Sequence, residues 1–177
     1  MKKSICALLC LMFIFLSITG CIERKSNNET QISHSISKDV FLSNFEALLN
    51  PAGFSMITCA ELEDKNAYSV SDGIYTYHIS ISFIESGEIT DVLLSGYIHG
   101  NSKLSFAVLS IYIYDALEFP KIEAQEYYDK YNLFADKDVS IFDDIANGWE
   151  LCVLDIDTPD GILRTFSIEM KEIIKEN

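Results

Sequence analysis

Four groups of side chains in this chain belong to types that do chemistry. The first is Asp155, Asp157 and Asp160 beside Gly161. A calcium-binding EF-hand loop places oxygens at positions 1, 3 and 5, Gly at 6 and Glu at 12. Counted from Asp155, position 5 is Pro159 and the Gly arrives one residue late. Thr158-Pro159-Asp160-Gly161 therefore reads as a turn. The second group is Asp136, Asp138, Asp143 and Asp144. It has enough carboxylates for a hard cation but a spacing that fits no such loop, so a solvated acidic loop is the plainer reading. The third is His78 and His99, each a base or metal ligand by type. Neither lies in an H-E-x-x-H, G-x-S-x-G, P-loop or G-x-G-x-x-G pattern. The fourth is the five cysteines, in which no C-x-x-C occurs, so neither a redox pair nor a Cys-based zinc site is supported. These patterns assign no catalytic residue, no metal and no cofactor, and no enzymatic activity is expected from them.

Position separates the cysteines. Cys6 and Cys10 lie in the opening run MKKSICALLCLMFIFLSITGC. Lys2 and Lys3 start it, Ile5 to Leu16 form an apolar stretch of 12 residues, and Ser17, Thr19 and Gly20 follow. That is the three-part pattern of a secretory leader. A permanent spanning helix needs roughly 20 apolar residues, so the run is short for one. Ile18-Thr19-Gly20-Cys21 resembles the prokaryotic lipobox: a branched residue, two small ones, then Cys. In proteins with that signal the Cys thiol receives a diacylglycerol and the leader is cut just before it. The resemblance covers only the first 21 residues. It implies a lipoprotein signal peptide at residues 1–20, lipidation of Cys21, and a body held by acyl chains on the extracytoplasmic face of a membrane. Each buried CH₂ of such a chain contributes about 0.8 kcal/mol.

Without the leader and its two lysines, 11 basic residues face 27 acidic ones, a balance of −16. That charge repels nucleic acid and anionic lipid, leaving the acyl chains as the membrane contact. Solubility is its plainest use, and a basic or cell-surface protein partner is the functional one. Cys59 and Cys152 are the two cysteines left in the body. An exported compartment permits a disulfide between them, while their apolar surroundings suit two buried thiols equally, and both readings stay open.

The elements that would position these groups follow from pattern. Residues 22–37, IERKSNNETQISHSIS, are too polar to bury much surface and read, with Cys21, as a lipid-anchored tether spanning on the order of 20 Å. A single domain then occupies residues 38–177. Ser37 caps a helix whose stripe is Phe41, Phe45, Leu48 and Leu49, stopped by Asn50-Pro51 and Gly53. Strands are expected at Phe54–Leu62 and near Tyr68. Tyr75, Tyr77, Ile79, Ile81 and Phe83 alternate with polar residues. Ser86-Gly87 suits a two-residue turn that pairs Ile81 with Val92, Ile79 with Leu94 and Phe83 with Thr90. His78, Ser80, Ser82, Asp91 and Ser95 then share the polar face, with Tyr97 an aromatic among them or beneath the C-terminal hairpin. LSFAVLSIYIYDALEF fits a buried strand by composition and a helix by length; a helix over Lys103–Glu118 is preferred. Ala124, Tyr127, Tyr128, Tyr131 and Phe134 trace another helix, and residues 135–148 read as a loop with room for one helical turn. A last hairpin turns at Thr158–Gly161; a bulge at the Gly puts Cys152, Leu154 and Ile156 on one face with Phe166, Ile168 and Met170.

The expected fold is α+β: a twisted antiparallel sheet of two or more hairpins with about three helices packed on one face. The expected function is a lipid-anchored protein-interaction, inhibitory or immunity-type module. The alternatives are a small-ligand or cation-binding lipoprotein, and a hydrolase whose His78 or His99 meets a carboxylate and a Ser from elsewhere in the chain.

Overall fold

A computed structural model describes residues 35–145 and 148–171. The leader, Cys21 and tether residues 22–34 lie outside the described residues. Among those described, no helix is long and apolar enough to cross a membrane.

Seven strands form one antiparallel sheet: β1 (Ser55–Glu61), β2 (Lys65–Ser71), β3 (Thr76–Phe83), β4 (Ile89–Tyr97), β5 (Ser140–Asp144), β6 (Trp149–Thr158) and β7 (Gly161–Met170). Their order across the sheet is β1-β2-β3-β4-β7-β6-β5. Among the described residues three helices accompany them, α1 (Lys38–Leu49), α2 (Ser102–Ala116) and α3 (Ala124–Lys130). The fold is α+β, as composition and pattern require. Two meanders, β1 to β4 and β5 to β7, meet along β4 and β7, and α2 and α3 lie between them in the chain.

Local chemistry accounts for the boundaries. Ser37 Oγ accepts a hydrogen bond from the Val40 amide at 3.3 Å, and Asp39 sits in the positively polarised first turn of α1. Phe41, Phe45 and Leu49 are the buried stripe. The domain begins slightly before α1: Ile36 is buried, its carbonyl accepts the Ile89 amide at 2.9 Å, and Ser37 bridges to Glu88. Helix α2 is buried on most sides, with Phe106, Ala107, Leu109, Ile113 and Ala116 fully covered. Such a segment has no amphipathic signature, and here length decided in favour of the helix.

The β3–β4 hairpin pairs Ile81 with Val92, Ile79 with Leu94 and His78 with Ser95. Its turn is longer than two residues. Gly87 adopts φ +82° and its amide reaches the Ile84 carbonyl at 2.8 Å, while the Ile84 amide donates to Glu88. The additional residue produces an irregularity after Ser82, and Phe83 pairs with Ile89 instead of Thr90.

Three further expectations are corrected. The last hairpin closes without a bulge, Thr158 opposite Gly161, so Cys152, Leu154 and Ile156 pair with Ser167, Thr165 and Leu163. Phe166, Ile168 and Met170 stand on the other face, opposite Val153, Leu151 and Trp149. Residues 140–144, read as loop, form the edge strand β5; Asp143 interrupts the apolar alternation that would have revealed it. Helix α3 ends at Lys130, so Phe134 lies beyond it and is exposed.

Candidate functional site

The register sorts strand residues onto two faces. One carries Tyr77, Ile79, Ile81, Val92, Leu94 and Phe166, all buried. Side chains from α2, from the end of α3 and from the residue run after α2 contact this face. The Tyr77 ring tilts against Phe106 of α2 and its hydroxyl donates to the Ser102 carbonyl at 2.7 Å. Tyr131, which caps α3, donates its hydroxyl to Asp143 Oδ2 at 2.8 Å. Phe119, just past α2, meets the Trp149 ring edge-on. Gly96 makes room for Tyr77: a Cβ there would stand 2.5 Å from the tyrosine Cδ1.

The opposite face carries His78, Ser80 and Ser82 on β3, Asp91 and Ser95 on β4, and Thr165 and Ser167 on β7. The polar alternation that marked these positions in β3 and β4 holds. Tyr97 also projects here and is 37% exposed. The C-terminal hairpin does not cover it, because that hairpin extends the sheet edgewise, pairing Tyr97 with Leu163. Three further apolar side chains on this face meet solvent, Ile57 on β1 at 67%, Phe142 at 62% and Ile156 at 44% exposure.

Electrostatics concentrate at one end of the face. Asp91 stands opposite Glu169, Glu169 opposite Glu150, and Glu150 opposite Asp144, one carboxylate on each of four adjacent strands. Burial, reinforced by the negative charge of Glu169 and opposed by Lys65 and the Ser82 hydroxyl, pushes the Asp91 carboxyl up to about 7. At the other end of the row Lys171 ion-pairs with Asp144 and lies 3.3 Å from Glu150 Oε2. Burial lowers the His78 pKa, which favours the uncharged imidazole. Among the described residues, His78 Nδ1 and Ser80 Oγ are buried without a hydrogen-bond partner.

The sequence-predicted groups are not brought together. His99 lies beyond β4 with its ring edge-on to Tyr75 at 5.4 Å, and His78 is at Ser95 on the polar face. The four aspartates of the 136–144 segment disperse to separate lysines: Asp136 to Lys103, Asp138 to Lys137, Asp143 to Lys130 and Asp144 to Lys171. Among the described residues, no group of three or more acidic, His or Cys side chains is placed to hold a metal ion. Cys59 and Cys152 are not joined to each other. They occupy β1 and β6, with four strands between them, which no side-chain bond can span. Asp155, considered as a cation ligand, instead accepts a buried arginine, Arg164.

No family model, no curated protein and no solved structure matches this chain. Function must therefore be read from its own geometry. A cleft of about 480 Å³ between α2 and α3 is lined by Tyr114, Pro120, Lys121, Ile122, Glu123 and Glu126. It gathers no nucleophile with a base. What the molecule does present is the sheet face with Phe142, Ile156 and Tyr97 exposed and a carboxylate row at one end. Sequence reasoning placed the β3–β4 part of this face but missed Phe142 and the row. The turn at Thr158–Gly161 sets only Glu150 opposite Glu169; Asp91 and Asp144 join the row through the β4–β7 and β5–β6 pairings.

Proposed function

We propose that this chain is a lipid-anchored extracytoplasmic lipoprotein whose domain binds another protein, as an interaction, inhibitory or immunity-type module. The leader pattern and Cys21 support the anchoring and the location. The helices packed on a single face of the sheet would leave its other face to the partner. The observation that carries the reading is the exposure of Phe142, Ile156 and Tyr97 together on that face. Exposed aromatic and aliphatic side chains on one face of a sheet supply the apolar anchors that protein contacts use.

Anchoring is tested by labelling cells that express the full chain with a radioactive or alkyne-tagged palmitate. Label and membrane fractionation should both be lost in Cys21→Ala. Label retained by the variant overturns the anchoring. Interaction is tested by in-cell crosslinking of the anchored protein: a discrete, saturable adduct with one protein supports the reading, and its absence across growth conditions overturns it.

A second reading, small-ligand binding on the polar part of the same face, is favoured by the unpartnered His78 Nδ1 and Ser80 Oγ. A solute that bound there would raise the melting temperature of the protein, and His78→Ala would remove that rise.

A further inference from the structure

The same face carries information on the chemistry of the partner, and that step rests on the interaction reading. The relevant region is the β4–β7–β6–β5 part of the sheet face opposite Tyr77 and Ile79. Neighbouring strands lie about 4.8 Å apart. The Asp91, Glu169, Glu150 and Asp144 side chains therefore form a row across four strands. Like charges directly opposite one another destabilise a sheet. Lysines attend the two ends: Lys171 contacts Asp144 and Glu150, and Lys65 acts on Asp91. Even with Asp91 half protonated near neutral pH, the carboxylates outweigh these two lysines and the row stays negative.

Same-face positions recur every second residue, about 6.6 Å along a strand. One step from Asp144 along β5 is Phe142, and three steps from Glu150 along β6 is Ile156, which pairs with Leu163 beside Tyr97. The face thus carries the carboxylate row at one end with Phe142 beside it and Ile156 and Tyr97 at the other end, Ser140, Leu154, Thr165 and Ser95 lying between. The Lys171 contacts show that an ammonium group seats against the row. The negative body disfavours nucleic acid, anionic lipid and a second copy of the same chain as occupants.

We propose that this surface docks a cationic, amphipathic polypeptide segment. Its Lys or Arg side chains would lie over the Asp91–Glu169–Glu150–Asp144 row, and its apolar side chains on Phe142 and Ile156.

The test uses the full chain in detergent micelles and a fluorescein-labelled 15-residue Lys/Leu amphipathic peptide, followed by anisotropy, with empty micelles as blank. Saturable one-to-one binding is expected, falling with salt. The double variant Phe142→Ser/Ile156→Ser should weaken it at least tenfold, and Glu150→Gln should weaken it about threefold and flatten its salt dependence. Ile74→Ser, an exposed control on the β2–β3 turn, should bind like the wild type. Melting curves of each variant confirm that the fold is intact; both substituted apolar residues are already exposed. Absence of binding, undiminished binding by the face variants, or equal loss in Ile74→Ser overturns the surface. A crosslinked partner that persists in the face variants separates the two ideas: the surface then fails while the interaction reading stands.

Discussion

Arg164 and Asp155 face each other across β7 and β6 inside the domain, with Nε 2.6 Å from Oδ1 and Nη2 2.8 Å from Oδ2. This is a two-pronged ion pair on a fully buried guanidinium. Two backbone carbonyls add to it: Nη1 reaches the Leu133 carbonyl at 2.7 Å and Nη2 the Ala135 carbonyl at 3.1 Å. Asp155 Oδ2 in turn accepts the Val139 amide at 3.1 Å. The pair thus pins the segment between α3 and β5 to the sheet. That segment contains Asn132 and Asp138 at positive φ, conformations that need such external support.

Removing one member leaves the other buried and uncompensated. Arg164→Met should lower unfolding stability by about 3–5 kcal/mol in urea titration. Arg164→Lys should recover little, since an ammonium cannot reproduce the fork. The double variant Arg164→Met/Asp155→Leu should lose less than the sum of the single losses, because neither charge is stranded. A strictly additive double variant would sink the clamp.

Gly96 and Tyr77 form the second constraint. The tyrosine ring lies over the β4 backbone because position 96 lacks a Cβ, and its hydroxyl ties β3 to the start of α2. Gly96→Ala should cost about 1–3 kcal/mol by overpacking. In a Tyr77→Leu background the same substitution should cost markedly less, as the colliding ring atoms are gone. Equal losses in both backgrounds, measured by thermal melting, would show that the close approach carries no strain.

Legibility in the sequence followed the strength of local signals. Helix α1 was readable because its cap, stripe and stop all coincide at Ser37, Phe41–Leu49 and Asn50-Pro51. β3 and β4 were readable because their alternation is clean and a Gly marks the turn. The β6–β7 register was not: a bulge and a two-residue closure both suit Thr158-Pro159-Asp160-Gly161, and they shift every pairing. Choosing the closure would have set Asp155 against Arg164 and exposed the ion pair. β5 was hidden because Asp143 points inward and is stabilised by Tyr131 and Lys130, partners remote enough that no local pattern announces them. The carboxylate row depends on four strands from both meanders, so it exists only once β4 and β7 are known to be neighbours.

Asp91 gives a distinctive pH dependence. Its carboxyl titrates near 7 in the folded state and near 3.8 otherwise. Between those values the folded protein holds a proton that the unfolded chain has lost, so stability falls as pH rises from about 4 to 7 and then levels. With allowance for partial solvent access, the change is on the order of 2 kcal/mol. Asp91→Asn should flatten this slope, raise the melting temperature at pH 8 and leave it nearly unchanged at pH 4. A slope that survives the substitution assigns it to another group.

Asp143 should act in the opposite sense and on one strand. Burial raises its carboxyl, but hydrogen bonds from Lys130 and Tyr131 outweigh that and hold it below the ordinary value. Lys130 Nζ lies 2.7 Å and the Tyr131 hydroxyl 2.8 Å from Oδ2. A depressed folded value means that the contribution is present above about pH 4 and is lost as pH falls through the folded value. Because β5 is an edge strand paired only with β6, the loss should appear there first. Asp143→Ala should speed amide exchange at residues 140–144 by about tenfold, equivalent to about 1.4 kcal/mol, while β3 and β4 amides stay protected. Asp143→Asn keeps an acceptor for Tyr131 and should fall between the two. Uniform acceleration across the sheet would instead mean that β5 opens only when the whole domain unfolds.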